Sequence, residues 1–414
     1  YQIEKLNDQQ YVIVFIVEKT LVNPVLEFIL ADPAKITDKN DVKIQQYYTK
    51  LNLQTIPYKS LSQQASLESI QGAAQAAATT AMVSSGPAMI AGANPGLVWA
   101  LINILQVFYY LLFINVEYPQ NAKTFFQIFE IGSLNFFPNP ASTVSTDLES
   151  ESLPCPTKFE ENGMDGLFYL NAGGMMFVWV AVSLSYGVSL ICTKYLRFLP
   201  GSLQSLMFKV RRSAEWSGLI QTWLTSYLEI SVAAFLQINA ISASSWIKFT
   251  ASIISILVVI INIFFPIFVW RILKKFRFSR KQLSRKYSSL IEEFRDDGVQ
   301  YYYYIIIVII RRFLSAATLV FLHDHPYYEI TSLIILNVMP FLYMIGSNPF
   351  KEMRDRILHL IEEASFLLIH SLIFMLMYDN KNIIFNRDTT EAIGWIIIGC
   401  CVINLVANLI AIFV

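Results

Sequence analysis

The chain has 414 residues, 31 Lys+Arg balanced by 31 Asp+Glu, 55% hydrophobic and 14% aromatic residues, and only 15% charged residues. A soluble domain carries about 25% charged residues, so this composition excludes a soluble enzyme and a disordered chain. Zero net charge and scattered basic residues argue against a nucleic-acid binder. The expected fold class is an all-α polytopic membrane protein with a small β-rich N-terminal extracellular region.

The sequence opens at Tyr1 with no charged-then-apolar leader, which reads as the C-terminal piece of a longer or processed protein. Residues 1–59 are expected to be the end of a larger ectodomain. The runs 11–18 (YVIVFIVE) and 21–30 (LVNPVLEFIL) suit strands and are too short or too charged to span, since a transmembrane helix needs ~20 apolar residues. Residues 60–414 are expected to be the transmembrane domain. A polar stretch, 60–75, leads to 77–93 (AATTAMVSSGPAMIAGA), whose small residues suit close helix packing. Asn94-Pro95-Gly96 is a turn signal, and 97–116 follows as a second span. The segment 125–137 is aromatic and amphipathic and is expected along the membrane interface. The acidic stretch 147–165 suits a solvated loop. Further spans are predicted at 167–192, 217–240, 249–270, 301–322, 330–346, 357–378 and 392–414, nine in all.

With the N-terminal region outside, the inner segments 94–96, 193–216, 271–300 and 347–356 carry 17 Lys/Arg, and the outer loops 117–166, 241–248, 323–329 and 379–391 carry 5. The positive-inside rule therefore predicts an extracellular N-terminus and a cytoplasmic C-terminus. The longest inner loop holds Arg271, Lys274, Lys275, Arg277, Arg280 and Lys281. Such a loop sets topology, and it also suits anionic lipid head groups.

Ionisable residues within spans are costly and usually face a partner inside the bundle. Gln221, Thr225 and Glu229 recur every fourth residue on one helix. Arg311, Ser315 and Thr318 share a face on another, with Arg312 beside them. His359, Glu363, Phe366 and His370 share a face on a third, with Glu362 alongside. At ~1.5 Å per residue, Glu229, Arg311 and Glu363 lie roughly 18, 15 and 9 Å from the inner boundary of a core ~30 Å thick. Glu229, Arg311, Arg312, Glu362, Glu363 and His370 are therefore predicted to form a central charged cluster. It reads either as a polar pathway with a gate or as a clamp that holds three helices in register. Pro266 and Pro340, each near an Asn, mark predicted kinks at which a gate would bend.

The four cysteines, Cys155, Cys192, Cys400 and Cys401, are not at metal-ligand spacing, and no metal site or cofactor is expected. The lone outer one, Cys155, would pair with an upstream Cys or another subunit. His323-Asp324-His325 in an outer turn offers donors for a divalent metal, but one short loop with no fourth ligand weighs against a site. No nucleotide-binding loop, nucleophile elbow or HExxH helix is present, so no enzymatic activity is expected.

Three stretches carry a resemblance: 92–129 (GANPGLVWALINILQVFYYLLFINVEYPQNAKTFFQIF), 311–322 (RRFLSAATLVFL) and 348–376 (NPFKEMRDRILHLIEEASFLLIHSLIFML). They resemble the C-terminal membrane domain of large ciliate-type surface proteins, in which cysteine-rich, furin-like or EGF-like repeats precede such a domain. More distantly, the arrangement is similar to fungal transient-receptor-potential-like channels. The resemblance covers about 75–414. It implies a channel-like protein passing cations such as calcium, in the plasma or ciliary membrane. Its partners would be lipids, extracellular structural proteins on the N-terminal side and further copies of itself. One departure stands out: the outer loops 379–391 and 323–329 are 13 and 7 residues long, too short for a re-entrant pore helix and filter. The alternatives are a non-conducting anchor for a surface assembly, and a transporter or lipid scramblase.

Overall fold

The computed structural model describes residues 2–7, 10–14, 25–29, 48–52, 95–129, 139, 148–195, 204–205, 207, 216–276, 294–295, 298–382 and 384–413. Four short strands form two separate antiparallel pairs, β1 (Gln2–Asn7) with β2 (Gln10–Val14) and β3 (Val25–Ile29) with β4 (Tyr48–Asn52). The body is helical: α1 (Pro95–Tyr110), α2 (Gln120–Gln127), α3 (Thr157–Glu161), α4 (Phe168–Asn171), α5 (Gly173–Lys194), α6 (Trp216–Asn239), α7 (Trp246–Phe276), α8 (Tyr303–Phe321), α9 (Pro326–Ser347), α10 (Met353–Asn382) and α11 (Arg387–Phe413).

Among the described residues, six helices are long and apolar enough to cross a membrane, α5 and α7 to α11. The sequence pattern predicts nine crossings, and the difference lies in three segments. Residues 77–93 lie outside the described residues. Segment 97–116 is helical only to Tyr110, tightens into a 3-10 turn at Leu111–Phe113 and becomes extended at Ile114. It is a shorter apolar helix. Segment 217–240 matches α6 in position, but α6 is not among the six. Residues 224–237 of α6 are buried without interruption. Protein, not lipid, surrounds this helix, so it can carry Thr225, Ser226, Glu229, Ser231 and Gln237. Segment 167–192 is broken at Ala172, and its long helix begins at Gly173.

The outward faces show what surrounds the body. On α7, Ala251, Ser255, Val258, Asn262, Phe265, Val269 and Ile272 are buried. Their alternating spacing of four and three is the seam of a packed helix pair. Ile256, Leu257, Ile260, Ile263, Phe264 and Ile267 on the other faces are exposed. The polar Ser255 and Asn262 point inward with the apolar seam, and the named outward residues are all bulky and apolar, the pattern of a helix packed in lipid. Across the seam, Asn262 Nδ2 donates to Ser231 Oγ at 2.8 Å. Pro266 supplies no N–H to the carbonyl four residues earlier; the Tyr227 hydroxyl donates to that Asn262 carbonyl instead, at 2.7 Å.

The helices close a ring. α6 packs on α8, α8 on α9, α9 on α10, α10 on α11, α11 on α1, and α1 returns to α6. α7 covers α6 and α8, and α5 lies against α6. The connections of α8 to α9, α9 to α10 and α10 to α11 are short, so these neighbours are antiparallel. Of the predicted interfacial segment 125–137, residues 130–137 lie outside the described residues, and the described part packs inside the body. α2 starts at Gln120, and Phe125, Phe126 and Phe129 are buried with Phe108 of α1, because α11 and α1 offer an apolar groove. Gly394 of α11 permits that docking: a Cβ there would lie 2.3 Å from Asn121 Oδ1 and 2.8 Å from Pro119 Cγ.

The loops sort to two ends. At one end Asn115, Glu117, Glu151 and Thr157 meet His323, Asn380, Ser245 and Lys248, as when Asn115 Nδ2 donates to the His323 carbonyl at 2.8 Å and Ser245 Oγ to Glu151 at 2.8 Å. The four loops predicted on one side thus share one end. At the other, an antiparallel bridge joins Phe294 to Phe350.

Candidate functional site

α8 sends two polar side chains into the ring. Tyr304 and Arg311 are two turns apart and share a face. α10 answers with Glu363, Phe366 and His370, the stripe expected from its sequence. Arg311 is 9% exposed and Glu363 1%. Arg311 Nη1 pairs with Glu363 Oε2, and the Tyr304 hydroxyl donates to Glu363 Oε1 at 3.0 Å. Both carboxylate oxygens are engaged. Arg311 also donates to Asn337 Oδ1 of α9 at 3.4 Å, and its guanidinium lies 5.8 Å from the Phe366 ring centroid, a cation–π contact. His370 Nδ1 sits 2.7 Å from the Phe366 carbonyl, which makes that nitrogen the donor.

The other predicted cluster residues are nearby but differently engaged. Arg312 Nη1 donates to Asn103 Oδ1 of α1 at 3.0 Å and to the Leu224 carbonyl of α6 at 2.9 Å, and its buried Nε has no partner among the described residues. Glu362 turns to His359 Nδ1 at 3.2 Å, and His359 stacks on Phe350 with ring centroids 4.4 Å apart. Glu229, expected beside the arginines, is instead 1% exposed on α6 and accepts from Gln106 Nε2 at 3.4 Å, with Oε1 unpartnered. The polar face of each helix was legible from its period; rotation about each helix axis was not, and rotation decides which partner is met. The single predicted cluster is therefore an Arg311–Glu363–Tyr304 clamp flanked by three separate polar contacts, those of Arg312, Glu362 and Glu229.

Beside the clamp is a cavity of about 50 Å³, room for roughly three waters. Its polar lining is Tyr110, Arg311, Arg312, Ser315, Asn337 and His370. The Tyr110 hydroxyl is buried and has no partner among the described residues. Neither Glu229 nor Glu363 lines it. The two guanidinium groups make the lining electropositive.

One buried carboxylate, Glu329, escaped the sequence reading. Glu329 falls in a predicted outer loop, yet it is fully buried in the first turn of α9, accepts from the Asn115 backbone N–H at 3.1 Å and leaves Oε1 unpartnered. The available signal was its four-residue spacing to Leu333 and Asn337, one helix face. His323 turns inward, 3.4 Å from Thr157 Oγ1 and against the Phe159 ring, with Nδ1 unpartnered. Burial pushes its pKa down, with Lys158 adding to and Asp324 opposing that shift. Lys158 pairs with Glu117 at 2.7 Å. Among the described residues no group of three His, Cys, Asp or Glu is placed to hold a metal. Cys155 is a half-buried free thiol that donates to the Met164 carbonyl at 3.3 Å; burial first, then Asp165 and Glu160, push it up to about 11.

Of the basic loop, Arg271, Lys274 and Lys275 are exposed at the end of α7, and Arg277, Arg280 and Lys281 lie outside the described residues. Pro266 and Pro340 sit inside helices that continue through them. No family model matches the chain, and no curated protein or solved structure matches it.

Proposed function

We propose that the chain is a channel-like integral membrane protein held closed by the Arg311–Glu363 clamp. One observation carries this reading: a ring of helices surrounds a polar cavity whose charged and hydroxyl groups are incompletely matched. Intramembrane ionisable groups that lack full partners usually mark a pathway, and a half-satisfied buried network costs stability that a purely structural clamp need not incur. The cavity's two arginines and lack of a carboxylate favour anions or water over calcium. A calcium path of the kind the transient-receptor-potential resemblance implies needs Glu229 and Glu363 to turn toward the cavity when the clamp opens.

Nine crossings complete the arrangement, with 77–93, α1 and α6 added to the six apolar helices, the β-rich N-terminal region outside and the C-terminus in the cytoplasm. The basic end of the bundle supports that orientation. The side on which 1–59 lies depends on whether 77–93 spans. A second reading, the anchor for an extracellular assembly in the plasma or ciliary membrane, draws support from the full engagement of Glu363 and from the small cavity.

Single-channel recording of the purified chain in a planar bilayer separates the two, in calcium and then potassium chloride, with Glu363→Gln and Arg311→Gln in parallel. Unitary currents that lengthen in Glu363→Gln, with reversal potentials reporting the permeant ion, support conduction past α10. Silence under voltage and stretch in all three proteins sinks the channel reading and leaves the anchor.

A further inference from the structure

The basic end of the bundle holds a second cavity, of about 370 Å³, within the size range of small-ligand sites. Three cations from three places line it: Arg295, Lys351 and Arg356. One carboxylate, Glu352, also lines it, and Arg354 lies 3.5 Å from that carboxylate. Two of the cations rise from structured backbone, and the Arg295 guanidinium lies 5.2 Å from the Tyr301 ring centroid. Arg295 is fixed by the Phe294–Phe350 bridge and by its backbone N–H donating to the Pro349 carbonyl at 2.9 Å. Phe350 beneath is stacked with Phe294 and His359. Lys351 follows Phe350 directly and is exposed. Arg356 rises from the first turn of α10, half-buried, with its Nε buried and without a partner among the described residues. The same first turn carries the positive end of α10's dipole and N–H groups that have no acceptor within the helix, with Asp355 standing among them.

We propose that this cavity binds a phosphomonoester, presented either by an anionic lipid head group or by a soluble phosphate. Guanidinium forks match phosphate oxygens in pairs, and a helix N-terminus adds N–H donors to the same anion. The cavity lies at the end of the bundle that carries Lys274 and Lys275, where a head group is within reach. The assignment stands whether or not the protein conducts.

The test uses the full chain in phosphatidylcholine nanodiscs. One arm adds phosphatidic acid to the bilayer and the other adds inorganic phosphate or glycerol 3-phosphate to the solution, with binding read by native mass spectrometry. Arg356→Gln and the exposed Lys351→Gln should each weaken binding about tenfold or more, the loss of one charge-assisted contact. Lys274→Gln, basic but outside the cavity, should leave it within about twofold. Binding of phosphatidic acid alone assigns the ligand to the lipid; binding of the soluble anions as well assigns the site to phosphomonoesters in general. Equal losses in all three variants would mean diffuse charge attraction and overturn the site, as would no binding in either arm. Lys351→Gln lies on the surface, so its effect cannot be attributed to misfolding.

Discussion

The clamp can be weighed by a double-mutant cycle on Arg311 and Glu363. Arg311→Met strands a carboxylate that is 1% exposed, with the Tyr304 hydroxyl as its remaining donor; Glu363→Leu strands a guanidinium that is 9% exposed, with Asn337 and the Phe366 ring. An uncompensated buried charge costs about 3–5 kcal/mol, whereas replacing both partners by apolar residues is often close to neutral. Each single variant should therefore lose about 3 kcal/mol, roughly a hundredfold in the folding equilibrium. The double variant should lose about 1 kcal/mol or less, so the two single losses exceed it by a coupling of roughly 5 kcal/mol. Tyr304→Phe removes one neutral donor and should cost about 0.6–1.7 kcal/mol. Reversible unfolding in mixed micelles, titrated with SDS and followed by tryptophan fluorescence, measures all four. If the double variant is destabilised by the sum of the singles, the two residues are not coupled and the clamp is wrong, and the gate built on it goes too.

Two further outcomes follow from the same geometry. Tyr227→Phe leaves the Asn262 carbonyl without the hydroxyl that replaces the N–H missing at Pro266, at a cost of about 1–3 kcal/mol. Adding Pro266→Ala should restore most of that loss by returning a backbone donor, and no recovery would disprove the compensation. His323 has a depressed pKa because it is buried. Its neutral form is the folded one, so its contribution is fully present above the unfolded value of about 6.5 and is lost as pH falls from there through the lower folded value. The unfolding midpoint should drop between about pH 7 and pH 5, and His323→Gln should flatten that drop. An unchanged profile in the variant would place the titrating group elsewhere.

The sequence determined that this is a bundle of membrane helices, since 15% charge and long apolar runs leave little else. It also placed the polar stripe on α10 and sorted the loops to two ends. Those features depend on composition and helical period, both local. Tertiary structure decided the rest. α6 is polar because five elements enclose it, which no property of its own twenty-four residues states. Arg311 meets Glu363 and Glu229 meets Gln106 because of how each helix is rotated about its axis. Period gives the face of one helix; only packing sets which faces oppose. The cavity of Arg295, Lys351 and Arg356 exists because a bridge between residues 294 and 350 brings together segments more than fifty positions apart, and no spacing rule along the chain encodes that.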